Sequence, residues 1–254
     1  MEDLLSVPVV RLVRDRIVGT LDRRLVGLYV YGSLVTGAFE PTVSDVDLIA
    51  ALADEPDEAL LPELSVLHAD TVRQLPDWDD RVEVDYVSAR GLADCRTAST
   101  TIARISPGEP VHLVQARRDF LLDWYPARRD GIALVGPPIA SVIPLIPESE
   151  YLDEVRMYLA SFRTRFDPDT SAGSQAYAIL TMCRGFYALA EGARMSKRNA
   201  GLRARSDFPR WADLIDLALA WRDRQWDPNQ PDASGAVDGS TAFIHDLADR
   251  LDLR

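Results

Sequence analysis

Leu28 to Ala50 reads LYVYGSLVTGAFEPTVSDVDLIA. Its first four residues form an apolar run of the kind a buried strand needs. Gly32-Ser33 ends the run, since glycine lets the backbone turn sharply and pass close to a ligand. A short segment carrying Gly37 and Pro41 follows, and Ser44-Asp45-Val46-Asp47-Leu48-Ile49 reads as a second strand. Side chains alternate along a strand, so Asp45 and Asp47 share one face and Val46 and Leu48 the other. Two carboxylates about 5 Å apart on one face repel by roughly 3 kcal/mol at an effective dielectric near 20. A cation offsets that repulsion. Oxygen-only ligands that leave coordination positions open suit Mg²⁺ carried in by a nucleoside triphosphate. The Gly-Ser turn would offer backbone N–H groups and a hydroxyl to phosphates, aided by a following helix N-terminus. Alone, Asp-x-Asp is also the pattern of a solvated strand edge. The Gly-Ser pair at this spacing and the apolar flanks turn the reading toward a nucleotide site.

At 254 residues the chain can build one large domain or two modest ones, each with its own core. Hydrophobic residues at 47% and charged residues at 27% describe an ordinary soluble protein, and no apolar run is long enough to span a membrane. The start, MEDLLSVPVV, is acidic and lacks a basic segment ahead of an apolar core, so a cytoplasmic location is expected. Cys95 and Cys183 are too few for a disulfide framework, and His68, His112 and His245 lack zinc-like spacing. The formal charge of −12 argues against a nucleic-acid partner, which calls for a basic stripe. It fits a cationic small molecule through long-range attraction, although acidity for solubility alone is as common.

Taken in order, Val10, Val13, Ile17 and Leu21 give residues 7–24 the spacing of an amphipathic helix, with Arg11, Arg14, Arg16, Arg23 and Arg24 mainly on its wet side. Leu60, Leu61, Leu64 and Leu67 predict a second helix over 57–74, and Pro76 to Asp80 a loop. Arg81 to Ser88, RVEVDYVS, alternates as a third strand, with Glu83 and Asp85 on one face. Two acids on one face are also the pattern of a solvent-facing sheet edge. Residues 91–118 are less legible, with turns at Pro107-Gly108 and Pro110 and a short strand at Val111 to Val114. A helix opens near Asp119 to Tyr125, and Gly131 to Val135 is a short apolar segment. Gly136-Pro137-Pro138, Pro144 and Pro147 mark a domain boundary, placing domains at 1–146 and 147–254. Beyond it the period is helical: Leu152, Val155, Leu159 and Phe162; Tyr177, Leu180, Arg184 and Tyr187; Trp211, Leu214, Ile215, Ala218 and Leu219; Phe243, Ile244, Leu247 and Leu251. Asp-Pro-rich links at 167–170 and 227–232 separate these helices. Arg184, at a core-facing spacing, is expected to be a buried cation with anionic partners.

The order strand, Gly-Ser, about ten residues, Asp-x-Asp on a strand resembles the DNA polymerase β-like nucleotidyltransferase superfamily. A nucleotidyltransferase half followed by a helical bundle resembles the aminoglycoside 3″/9-adenylyltransferases within it. Gly131 to Pro137 is similar to the family's segment ahead of its helical domain. Ala178 to Tyr187, with Gly192 and then Ser196-Lys197, is similar to its central C-terminal helix and following loop. The resemblance implies an α+β fold, a polymerase β-like mixed sheet with flanking helices, followed by an all-α bundle. It implies Mg²⁺-dependent transfer of AMP from ATP to a hydroxyl of a small cationic acceptor, an aminoglycoside or aminocyclitol antibiotic. Asp45 and Asp47 would hold metal, and Gly32, Ser33, Ser44, Arg184 and Lys197 would bind nucleotide across the cleft between domains. Glu83 would be the general base, with Asp85 the alternative. Streptomycin-modifying relatives carry a Trp and an Asp shortly before the central helix. Arg163 to Gln175 has no Trp here, though Asp167 and Asp169 could stand in for the Asp, so spectinomycin is favoured over streptomycin. The other readings are transfer of AMP to a protein or unknown metabolite hydroxyl, and a non-catalytic nucleotide sensor.

Overall fold

The structure, a computed structural model, describes residues 4–227, 229 and 231–253. Glu2 and Asp3 of the acidic start, and Pro228 and Gln230 of the second Asp-Pro-rich link, lie outside these residues. The chain divides into two compact units, one of residues 1–40 and 44–148, the other of 41–43 and 149–254.

The first unit contains α1 (Pro8–Leu21), β1 (Leu25–Tyr31), α2 (Ser33–Thr36), β2 (Val46–Leu52), α3 (Leu61–Gln74), β3 (Val82–Ser88), α4 (Ala89–Ala93), β4 (Thr100–Ser106), β5 (Glu109–Ala116), α5 (Leu121–Asp130) and β6 (Ile132–Val135). The six strands form one mixed sheet in the order β5-β4-β3-β2-β1-β6. Only β2 and β3 run parallel. The connection between them, through α3, is the crossover that a parallel pair requires. Alternation gives the sheet two unlike faces. Leu28, Val30, Val46, Leu48, Ala50, Val84 and Tyr86 pack with Val10, Val13, Ile17 and Leu21 of α1 and Leu64 and Leu67 of α3. Each large side chain buried this way contributes about 1.5–3 kcal/mol. Within that core, His68 sits 2.8 Å from the Tyr86 hydroxyl, a buried polar pair that satisfies both groups. The other face carries the acids.

Several expectations shift. The first helix ends at Leu21, and a 3₁₀ turn, Asp22–Arg24, carries the chain into β1. A similar turn, Pro76–Trp78, lies within the expected loop. Residues 100–116, barely legible in the sequence, are a long hairpin turning at Pro107-Gly108. The second strand starts at Val46, so Ser44 and Asp45 belong to the loop leading into it. The solvent-edge reading of Glu83 and Asp85 fails, because β3 lies inside the sheet between β2 and β4.

The second unit holds α6 (Glu148–Ser161), α7 (Ala172–Glu191), α8 (Lys197–Asp207), α9 (Ala212–Arg222) and α10 (Val237–Arg250). Ser171 and Ser196 cap α7 and α8 by accepting the backbone N–H groups of Ser174 and Asn199. The central helix α7 packs on α8, α9 and α10 and buries most of its circumference. Among the described residues no helix is long and apolar enough to cross a membrane.

Candidate active site

Tyr31, Asp47 and Glu83 lie side by side on three adjacent strands. Tyr31 pairs in register with Asp47, and Asp47 with Glu83 across the parallel β2–β3 ladder. The antiparallel β3–β4 ladder sets Arg104 opposite Asp85. Register thus brings Asp47, Glu83, Asp85 and Arg104 onto one face, and Asp45, in the loop just ahead of β2, lies close enough to act on the charge of Glu83.

At the end of β1, Gly32 adopts φ +73°, and a Cβ built on it would stand 2.0 Å from Asp47 Oδ2. Only glycine fits so close to that carboxylate. The Gly32→Ala variant should therefore lose about 1–3 kcal/mol of stability from the backbone alone. It should also push the Asp47 carboxylate aside, measurable as loss of nucleotide binding and activity beside a urea denaturation curve. Ser33 follows at the start of α2, its hydroxyl oxygen buried and without a hydrogen-bond partner among the described residues. A buried hydroxyl with no partner is costly unless a ligand supplies one. Ser44 is committed to its own loop, its Oγ accepting from the Glu40 N–H at 3.0 Å. Its carbonyl accepts from Arg81 Nη2 at 2.6 Å, which ties the loop to the start of β3.

The acids on this face differ in environment. Asp45 and Asp47 are half-buried, and Asp85 is sealed with 1% of its side chain exposed. Arg104 contacts Glu83 through Nη2, and through Nη1 reaches Asp85 Oδ1 at 3.1 Å and Asp123 Oδ2 at 3.4 Å. Trp124 Nε1 donates to the other Asp85 oxygen at 3.4 Å. Burial pushes the Glu83 carboxyl up to about 8, with Arg104 opposing and Asp123, Asp85 and Asp45 adding to the rise. Asp85 rises to about 7, again through burial, with Arg104 opposing. Burial and the surrounding acids also push Tyr31 well above its ordinary value, so its phenol stays protonated. Arg104 is held charged because Asp85, Glu83 and Asp123 together outweigh the cost of burying it.

Among the described residues no three His, Cys, Asp or Glu side chains close into a metal cage. Asp45 and Asp47 are instead an open, oxygen-only donor pair, which fits a Mg²⁺ whose remaining ligands come from substrate phosphates and water.

In the second unit, Arg184 departs from expectation. It lies on the exposed stripe of α7 with Tyr177, seven residues earlier, and among the described residues it has no ion pair. The bundle buries Ile179, Leu180, Met182 and Cys183 instead, leaving one narrow line of α7 open. Lys197 Nζ sits 4.2 Å from the Tyr177 ring centroid, and the Tyr177 hydroxyl is 2.8 Å from that of Tyr158. Asp167 is occupied by its own loop, accepting from the Asp169 N–H and the Thr170 hydroxyl at 3.0 Å each, and Asp169 is exposed.

Sequence reasoning passed over Arg104, Asp123, Trp124 and Tyr31. Arg104 alone left a trace, as the one cation within the strand TTIARIS.

A mixed sheet with acids on its central strands, followed by a separate helical unit, defines a nucleotidyltransferase fold. The chain is similar to the crystal structure of spectinomycin adenyltransferase AAD(9) from Enterococcus faecialis with ATP and spectinomycin. The TM-score is 0.75 at 17% identity, over 96% of this chain and 98% of that one. Residues 141–245 match the family described as aminoglycoside adenylyltransferase, C-terminal domain. A toxin–antitoxin structure with AMP-PNP is similar over 59% of this chain and 90% of that one at 21% identity, with a TM-score of only 0.28. No curated protein matches by sequence.

Proposed function

We propose that this enzyme transfers AMP from ATP to a hydroxyl of a small polycationic acceptor of the aminoglycoside or aminocyclitol class. The observation that carries the reading is the register of Asp47 against Glu83 beside Gly32, where any Cβ would crowd the Asp47 carboxylate. The family match over 141–245 supports the acceptor class.

Asp45 and Asp47 would hold Mg²⁺, which when bound supplies charge neutralisation at the phosphates. Ser33 and the Gly32 backbone receive phosphate oxygens. Arg184 and Lys197, carried over from the family's central helix and the loop after it, supply cations to the triphosphate. Glu83 takes the proton from the acceptor hydroxyl as its oxygen bonds to the α-phosphorus, and the bond to pyrophosphate breaks. Burial raises Glu83 to about 8, and a cation held beside it by Asp45 and Asp47 would lower that value, leaving a carboxylate of raised proton affinity that suits this step. Asp85 is too deeply sealed and too firmly held to reach a substrate, so it supports the site from beneath. Catalysis by such a site rests on positioning and on charge stabilisation.

The net charge of −12 gives a polycationic drug a favourable field. The segment 163–175 contains no Trp to form an aromatic platform. A larger drug thereby loses a cation–π contribution of about 0.5–2 kcal/mol. Spectinomycin, compact and rigid, depends less on such a wall. Purified protein with Mg-ATP and an aminocyclitol panel, read by mass for a +AMP product, should therefore show kcat/KM higher for spectinomycin than for streptomycin. Equal or better use of streptomycin overturns the preference. Modification of neither drug moves the acceptor to a protein or another metabolite.

A further inference from the structure

We propose that Arg104 is a positioning residue for the reaction, a fixed guanidinium that holds the Glu83 carboxylate where it meets the acceptor's proton. The proposal rests on the reading of Glu83 as the base in AMP transfer.

The sheet order places the three groups in a row. Arg104 stands on β4, Glu83 on β3 and Asp47 on β2, so the guanidinium takes the side of Glu83 away from Asp47. Arg104 is the register partner of Asp85, not of Glu83, and reaches Glu83 diagonally across the ladder. Its anchoring is elaborate. One terminal nitrogen is shared by Asp85 and Asp123, and the planar face lies 5.1 Å from the Phe120 ring centroid. Asp85 is in turn held by Trp124. These anchors sit in the sheet, in α5, or in the 3₁₀ turn Arg118–Phe120 just ahead of it, and only the second terminal nitrogen is spent on Glu83.

A purely structural pair would close the fork on one carboxylate, the strongest geometry open to arginine. Here the fork is split between a sealed acid, Asp85, and a more accessible one, Glu83, whose side chains are 1% and 14% exposed. Glu83 also faces Asp47 and Asp45, whose charges would drive its flexible side chain out of place. The guanidinium opposes that drift from the far side. Glutamate has three rotatable bonds, and a base displaced by about 1 Å can lose about 100-fold in rate.

The test is a double-mutant cycle on single-turnover AMP transfer, with Mg-ATP and spectinomycin or the panel drug that wild type modifies fastest. Arg104→Gln is expected to lower the transfer rate by about 100-fold while the dissociation constant for Mg-ATP, read by calorimetry, stays within about threefold of wild type. Arg104→Lys, which keeps charge without the fork, should recover part of the loss. In the Glu83→Gln background, Arg104→Gln should cost no more than about twofold, because two residues acting through one group are non-additive. Losses that multiply in the double variant, or a near-normal rate for Arg104→Gln, overturn the proposal. Should Arg104→Gln fail to fold, Asp123→Asn decides, since it removes one anchor and leaves the Arg104–Glu83 contact. Its rate loss must vanish in the Glu83→Gln background, and a loss that persists there overturns the proposal. Wild type that yields no +AMP product on any drug refutes the transfer reading itself, an outcome distinct from active wild type with multiplying losses.

Discussion

Asp47→Ala is expected to abolish AMP transfer, with a fall of at least about 100-fold, the scale on which losing one placed electrostatic group acts. Asp47 stands at the junction of the site, opposite Tyr31 on one side and Glu83 on the other, with Gly32 against its carboxylate. The loss should not come from unfolding. Glu83, Asp85 and Asp123 crowd the Arg104 guanidinium, Asp45 lies near Arg81, and Asp47 stands in register with Glu83, so carboxylates outnumber cations there and removing one negative charge relieves repulsion in the absence of Mg²⁺. Melting without Mg²⁺ should show the variant at least as stable as wild type. Saturating Mg-ATP should raise the wild-type melting temperature, as any ligand bound only to the folded state does, and should fail to raise the variant's. Near-normal turnover by Asp47→Ala would remove it from the metal site. Glu83→Gln should instead spare ATP affinity while the chemical step slows, which separates the two roles.

The second large effect lies in the core. Burial holds the His68 imidazole down to about 4, against 6.5 for the free side chain. Between those values the unfolded chain binds a proton that the folded chain refuses, so the stability His68 provides is complete above pH 6.5 and is lost as pH falls toward 4. The full span is worth about 3 kcal/mol. The acid face works in the opposite sense. Glu83 and Asp85 are raised, so the folded state binds more protons than the unfolded one between about pH 4 and pH 8, and their contribution weakens as pH rises through that range. The two slopes overlap, and only a difference between variants isolates the histidine. His68→Gln keeps a polar partner for the Tyr86 hydroxyl but cannot titrate. Denaturation curves at pH 7 and pH 4.5 should show wild type losing more on acidification than His68→Gln, by a few kcal/mol. Parallel acid profiles for the two proteins would show that the imidazole is not held neutral by burial.

What could be read in the sequence was local. The run from Leu28 to Tyr31, the break at Gly32 and the alternation around Asp47 each depend on residues a few positions apart, where backbone sterics and side-chain alternation act directly. The strand at 82–88 and the shared face of Glu83 and Asp85 were legible for the same reason. Arg184 shows the limit. A three-and-four spacing marks one face of a helix, but α7 is wrapped by α8, α9 and α10, and which narrow stripe stays open depends on those neighbours. Tyr187 falls inside, while Tyr177 and Arg184 remain outside.

The sequence by itself thus determined the strand–turn–strand element, its two acids and the shift to helical period beyond Pro147. Only the tertiary structure decided what those acids experience. Glu83 meets a guanidinium 21 residues along the chain, and Asp85 an indole 39 residues along. Both arrive through sheet register and the packing of α5, and a carboxylate's charge state depends on burial and on charges a few ångströms away in space. No local pattern encodes those distances.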